Sequence, residues 1–281
     1  MINSEDRSAT SPPAAAGSGQ RSLIERAESV LSQDDRVLGV WLAGSFGRGT
    51  DDRYSDVDLW VVVGDGDLDA FCADWPSLCD RIAPIVLRRQ LRSQPIFNQI
   101  STDWTRFDVS VGTPDKVGTR TTSTVKALYD PHGLSEQLLA PRGPKQPDPQ
   151  RIQALTEEFF RILGLLPVVV GRGEFIVGQS GAGLVRGLLI DLMLEDVAVE
   201  ERGGALHLNR LLAAEQRQIL VDLPQPKAER ESVIAAHLAG AAAFLPLARD
   251  LHQRCGLDWP QQIDEAARRH LSETLSVDLP G

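Results

Sequence analysis

Two aspartates separated by one apolar residue, Asp56 and Asp58 in Ser55-Asp56-Val57-Asp58-Leu59, follow the small-residue segment Gly44-Ser45-Phe46-Gly47-Arg48-Gly49. In a strand, alternate side chains share a face, so both carboxylates leave one side while Val57, Leu59, Val61 and Val63 leave the other. Aspartate is disfavoured in strands because it competes for backbone hydrogen bonds, and two of them call for compensation. A hard divalent cation supplies it, since Mg²⁺ takes carboxylate oxygens together with substrate phosphates. Gly44 and Gly47 let the backbone turn sharply and approach a ligand closely, and amides freed in such a turn form an anion-binding concavity. Ser45 adds a hydroxyl and Arg48 a planar donor fork suited to phosphate. Gly44, Ser45, Gly47, Arg48 and Ser55 are the expected nucleotide-phosphate contacts, and the segment reads as a site for metal-assisted nucleotide transfer.

A third carboxylate lies in Thr105-Arg106-Phe107-Asp108-Val109-Ser110-Val111, where apolar and polar residues again alternate. A strand here puts Asp108 on a polar face. Beside the first pair it completes a set able to hold two metals, or one metal and a general base. The alternatives are an aspartate on an exposed edge strand, and Asp115 as the third acid, although Asp115 follows Thr113-Pro114 in what reads as a loop or helix start. Arg106 shares the parity of Asp108 and either reaches the nucleotide or pairs with a neighbouring carboxylate.

The small-residue turn, the gap of roughly ten residues and the Asp-apolar-Asp-apolar run resemble the DNA polymerase β-like nucleotidyltransferase superfamily, and within it bacterial enzymes that modify aminoglycosides or lincosamides. The resemblance implies that Gly44 and Ser45 bind nucleotide phosphates, that Asp56 and Asp58 bind Mg²⁺, and that Asp108 completes the acidic set. Ala127-Leu128-Tyr129-Asp130-Pro131-His132-Gly133-Leu134 is similar to the segment closing the catalytic domain of such proteins. Arg172-Gly173-Glu174-Phe175 resembles the start of their helical second domain, which makes Glu174 a candidate substrate contact. The implied activity is transfer of AMP from Mg-ATP to a hydroxyl of a small molecule such as an aminoglycoside- or lincosamide-like antibiotic. The other readings are adenylylation of a protein, as in toxin–antitoxin pairs, and a module that binds a nucleotide without catalysis.

The 281 residues, 42% of them hydrophobic, suffice for two domains. With 29 Lys and Arg against 39 Asp and Glu, the net charge is −10. This balance argues against a long nucleic acid as partner and suits a cationic small substrate, or merely solubility. Cys72, Cys79 and Cys255 have no metal-ligand spacing, and the five histidines form no zinc motif. The apolar stretch 162–170 is interrupted by Pro167 and is too short to span a bilayer. With the odd cysteine count, this leads to an expectation of a cytoplasmic protein without a membrane partner.

The elements that must position the site give an α+β fold, a mixed sheet flanked by helices and then a helical bundle, with substrate expected in the cleft between them. Residues 1–20, rich in Ser, Ala, Pro and Gly, read as a disordered lead. The catalytic domain is expected over 21–140, opening with an amphipathic helix through Leu23, Ala27, Val30 and Leu31. Prolines at 141, 144, 147 and 149 mark a linker over 141–149, and the helical domain follows over 150–281. Its helices are expected at about 149–170 with a kink at Pro167, 174–199, 208–220, 229–254 and 260–275. Asp148 and Pro149 make the first helix start. Asp191 and Glu195 share a helix face, either as amine contacts or as a solvated, salt-bridged surface. Trp41 and Trp60 either line the nucleotide pocket or pack the core.

Overall fold

A computed structural model of the chain describes residues 17–91, 94–202 and 205–280. The expected lead lies outside the described residues as far as residue 16, and its last residues are ordered: α1 (Ser18–Leu31) already includes Gln20, which is buried. The chain divides into two compact units, one ending at Arg142 and one beginning at Gly143.

The first unit contains β1 (Val37–Leu42), α2 (Gly44–Arg48), β2 (Val57–Val63), α3 (Leu68–Ile82), β3 (Ile85–Gln90), β4 (Ile96–Ser101), β5 (Arg106–Gly112) and β6 (Lys126–Tyr129). These strands form one sheet in the order β3-β4-β5-β2-β1-β6. β2 and β5 are parallel and every other neighbouring pair is antiparallel. On one face α1 and α3 bury Leu23, Leu31, Phe71 and Trp75 against Val57, Leu59, Phe107 and Val109. On the other face Trp41, Trp60, Val62, Val117 and Leu134 form a second, smaller core. β2 is therefore covered on both sides, which explains its nearly continuous apolar sequence. The two indoles lie 4.9 Å apart and are fully buried, so they pack the core rather than line a pocket. The Trp41 N–H donates to Ser135 Oγ at 3.0 Å, satisfying a polar atom that burial would otherwise strand.

The second unit is helical: α4 (Pro149–Leu163), α5 (Leu166–Arg172), α6 (Phe175–Glu195), α7 (Leu208–Leu211), α8 (Ala214–Asp222), α9 (Arg230–Arg254) and α10 (Gln261–Leu275). Asp148 caps α4, its carboxylate accepting from the amides of Gln150 and Arg151 at 3.0 and 3.3 Å. Two helix expectations are corrected. The 149–170 helix is not kinked at Pro167 but broken at Gly164–Leu165, and Pro167 falls in the first turn of α5, where a missing N–H costs nothing. The 208–220 helix is split, because Leu212 is extended between α7 and α8. Asp191 is salt-bridged to Arg151 at 2.8 Å. Glu195 is not a solvated group: it is buried with Arg202 at 2.8 Å and accepts from the Asp148 amide, so its carboxylate is used structurally.

α6 and α9, rather than 162–170, are long and apolar enough to cross a membrane by length and composition. α9 needs no such explanation, because Val233, Phe244, Leu245 and Leu251 are buried in the core of the unit. The helices meet closely where side chains are missing. A Cβ at Gly240 would lie 2.5 Å from Val185 Cγ1. Gly240→Ala should therefore destabilise the protein by about 1–2 kcal/mol through overpacking, despite the better helix propensity of alanine. Gly187→Ala, on α6 with open space around it, should stabilise it by up to about 1 kcal/mol. Urea midpoints of the two variants moving in the same direction would contradict this packing assignment.

Candidate active site

The polar face of the sheet is fixed by strand parity. Val57, Leu59, Phe107 and Val109 are committed to the α1–α3 core, so Asp58 and Asp108 emerge on the opposite face. Parallel pairing then sets Asp58 directly beside Asp108, and antiparallel pairing sets Asn98 of β4 on the far side of Asp108. Asn98, Asp108 and Asp58 thus form a row across three strands. Asp56 precedes β2 and lies near enough to act electrostatically on both other carboxylates.

This arrangement is costly without a counter-charge. Burial, reinforced by Asp56 and Asp108, pushes the Asp58 carboxyl up to about 6, against the opposing pull of Arg48 and Arg106. Burial also raises Asp108, while a hydrogen bond from Asn98 acts to keep it ionised. Among the described residues, no three His, Cys, Asp or Glu side chains are gathered into a group able to hold a metal ion. The three-carboxylate metal set expected from the sequence is therefore not assembled as the side chains stand. The donor chemistry still fits Mg²⁺, which needs only one or two carboxylates plus substrate phosphates, and the self-repelling hard oxygens are what a cation would relieve.

The small-residue segment is not an open turn but a short helix, α2, ended by Gly49 with φ +66°. The amides of Gly47 and Gly49 bond to Ala43 and Phe46 carbonyls within it. Those of Gly44, Ser45 and Phe46 belong to a first turn that lacks intrahelical acceptors, and these are the ones left for an anion. Gly44 has φ +56°, and the amide of Ala43 donates to Asp58 O at 2.8 Å, which holds the start of α2 against β2. A Cβ at Gly44 would collide with Asp58 Oδ2. The missing side chain is what makes room for the carboxylate. Gly47 has a packing reason as well, since a Cβ there would strike the carbonyls of Thr124 and Leu42. Ser45 Oγ is buried with no hydrogen-bond partner, an orphan polar atom of the kind a ligand oxygen would satisfy.

Other expected contacts are used differently. Ser55 Oγ accepts from the Asp52 amide at 3.0 Å and donates to Asp52 Oδ1 at 3.2 Å, closing its own loop. Arg106 donates to Tyr54 O at 3.2 Å. Asp115 is exposed beside Lys116 at 2.7 Å, at the start of a 3-10 turn. Glu174 belongs to the second unit, exposed at the N-terminus of α6. Of the histidines, His237 and His252 are buried with ring nitrogens bonded to backbone carbonyls, which makes them structural. Asn98 escaped the sequence reading because its only signal was alternation in Ile96-Phe97-Asn98-Gln99-Ile100, a pattern with no chemistry of its own.

Residues 24–94 match the family model of the nucleotidyltransferase domain, a span that contains α2, Ser55, Asp56 and Asp58 but neither Asp108 nor Glu174. The chain is similar to the crystal structure of an aminoglycoside 6-adenyltransferase from Bacillus subtilis, with a TM-score of 0.44 and 11% identity, covering 89% of this chain and 95% of that one. No curated protein matches the sequence.

Proposed function

We propose that the chain, which carries a nucleotidyltransferase domain over residues 24–94, transfers AMP from Mg-ATP to a hydroxyl of a small cationic molecule, in the manner of enzymes that modify aminoglycosides or lincosamides. The observation carrying this reading is the Asp58–Asp108 pair on adjacent parallel strands with Gly44 cleared of a side chain beside it. Asp56 and Asp58 would hold Mg²⁺, which neutralises triphosphate charge when bound. Ser45 Oγ, the first amides of α2 and Arg48 bind and orient the phosphates. Asp108 accepts the proton of the acceptor hydroxyl as its oxygen attacks the α-phosphorus, the bond to the bridging oxygen breaks, and pyrophosphate departs. Glu174 is the proposed acceptor contact on the second unit. The acidic balance supports a cationic acceptor.

Pyrophosphate release, measured with Mg²⁺ and each nucleoside triphosphate against a panel of hydroxylated antibiotics, tests the proposal. Turnover that requires both an acceptor and the triphosphate supports it, and silence across the panel rejects it. Asn98 provides a pH check. Removing its hydrogen bond takes away the contact that favours ionised Asp108, so Asn98→Ala should raise the carboxyl further and move the acidic limb of the pH–rate profile to higher pH. An unmoved limb would separate Asp108 from proton transfer.

A further inference from the structure

We infer that Gln20, in the first turn of α1, is a positioning residue that fixes Asp56 by gripping the loop in front of it; the inference rests on the nucleotidyl-transfer reading of the aspartate set. Gln20 is 6% exposed although its side chain is polar. Its amide nitrogen donates to Asp52 O at 3.2 Å and also to Ser55 O, while its amide oxygen accepts from the Gly17 amide at 2.5 Å. Every polar atom of the side chain is thus used, and both donors go to carbonyls of one loop, the second belonging to the residue before Asp56. This is only half of a capping box, because Gly17 has no side chain to return the bond to the helix. The capping half needs only the amide oxygen. The nitrogen serves the loop.

The rest of the loop is built to be held there. Asp52 and Ser55 exchange three further hydrogen bonds, and the Tyr54 amide donates to Asp52 Oδ1 at 2.8 Å. Arg106, two residues before Asp108, donates to Tyr54 O from β5. Carbonyls at 52, 54 and 55 are therefore held from two elements, α1 and β5. α1 can come this close because Gly19 has no side chain: a Cβ there would be 3.1 Å from Thr105 Oγ1 and 3.3 Å from Asp103 Oδ2, at the β4–β5 turn. Asp56 lies outside β2 and gains no ladder register of its own, unlike Asp58. Its direction depends on the loop, and the loop depends on Gln20. Partners hydrogen-bonded to metal ligands commonly change metal affinity or activity by about 10–100-fold when removed; Gln20 acts one step further out, through the Ser55 carbonyl and the backbone leading into Asp56.

The test uses the full chain and two substitutions. Gln20→Met keeps the length and loses all polar atoms; Gln20→Glu keeps the oxygen for Gly17 and loses the donors to Asp52 and Ser55. In both, hydrogen exchange of amides 50–56 in metal-free protein should quicken about tenfold or more with exchange in α3 and β5 unchanged. The Mg²⁺ concentration for half-maximal pyrophosphate release should rise about 10–100-fold, with KM for the nucleotide at saturating Mg²⁺ unaltered. A Gln20→Glu protein that behaves as wild type would reduce Gln20 to a helix cap and overturn the inference, as would unchanged exchange at 50–56 in either variant. If wild type releases no pyrophosphate with any nucleotide, the transfer reading falls, while the exchange measurement still decides whether Gln20 holds the loop.

Discussion

Asp58→Asn is expected to lower turnover by roughly 10³-fold while making the metal-free protein more stable at neutral pH. The two effects have opposite signs because they come from the same charge. Asp58 sits in partial burial beside Asp56 and Asp108, and in the folded state its carboxyl is pushed up to about 6 from an ordinary 3.8. A group that holds its proton more firmly when folded contributes stability in full below the unfolded value. That contribution is lost as pH rises through about 6, since the native state then binds more protons than the unfolded one. Metal-free wild type should therefore lose stability between about pH 4 and 6, by at most about 3 kcal/mol at 1.4 kcal/mol per tenfold. The amide variant carries no such charge, so its thermal midpoint should fall less over that range, where Asp108 is still raised by burial, and should be higher than wild type at pH 7. On the proposed reading Mg²⁺ would bind the deprotonated Asp56 and Asp58, so it should offset the wild-type loss and act more weakly on the variant. Melting curves at pH 4 and 7 with and without Mg²⁺ read all of this, and equal midpoints at pH 7 would mean the cluster is not electrostatically strained.

Gly44→Ala should be nearly as damaging to activity for a steric reason. The residue has φ +56°, and its added methyl would run into Asp58 Oδ2. Displacing a reacting or metal-binding group by about 1 Å can cost on the order of 10²-fold. The left-handed backbone adds about 1–2 kcal/mol of strain. Gly49 separates the two contributions. It has φ +66°, and no heavy atom lies within 4 Å of where an added methyl would stand. Gly49→Ala should show the backbone cost alone, about 1–2 kcal/mol in urea unfolding, with turnover within a few-fold of wild type. If both variants lose activity equally, backbone strain in α2 and not the collision with Asp58 is responsible.

The sequence was most legible where a period of two met an acidic residue. Val37–Leu42, Val57–Val63 and Arg106–Gly112 are strands whose parity alone put Asp58 and Asp108 on polar faces. Prolines 141, 144 and 147 precede a helix that opens at Pro149 and whose cap, Asp148, is as its residue type required. Less legible were α3, β3 and β4, whose mixed patterns depend on partners far along the chain, and the break between α4 and α5, where Pro167 was equally compatible with a kink. Glu195 shows the same limit. Its i, i+4 spacing from Asp191 described a helix face, yet Arg202 and the Asp148 amide bury it.

Local residue order determined which side chains could do the chemistry and which strand face they would occupy, because alternation is a property of a single extended segment. Only the tertiary structure decided that β2 and β5 lie side by side in parallel, so that two aspartates 50 positions apart become neighbours. Likewise, only folding brought Gln20 to the loop before Asp56 and Gly44 against Asp58. Strand order and close backbone approach are set by the packing of whole elements, with energies summed over many distant residues, and no short run of sequence carries that sum.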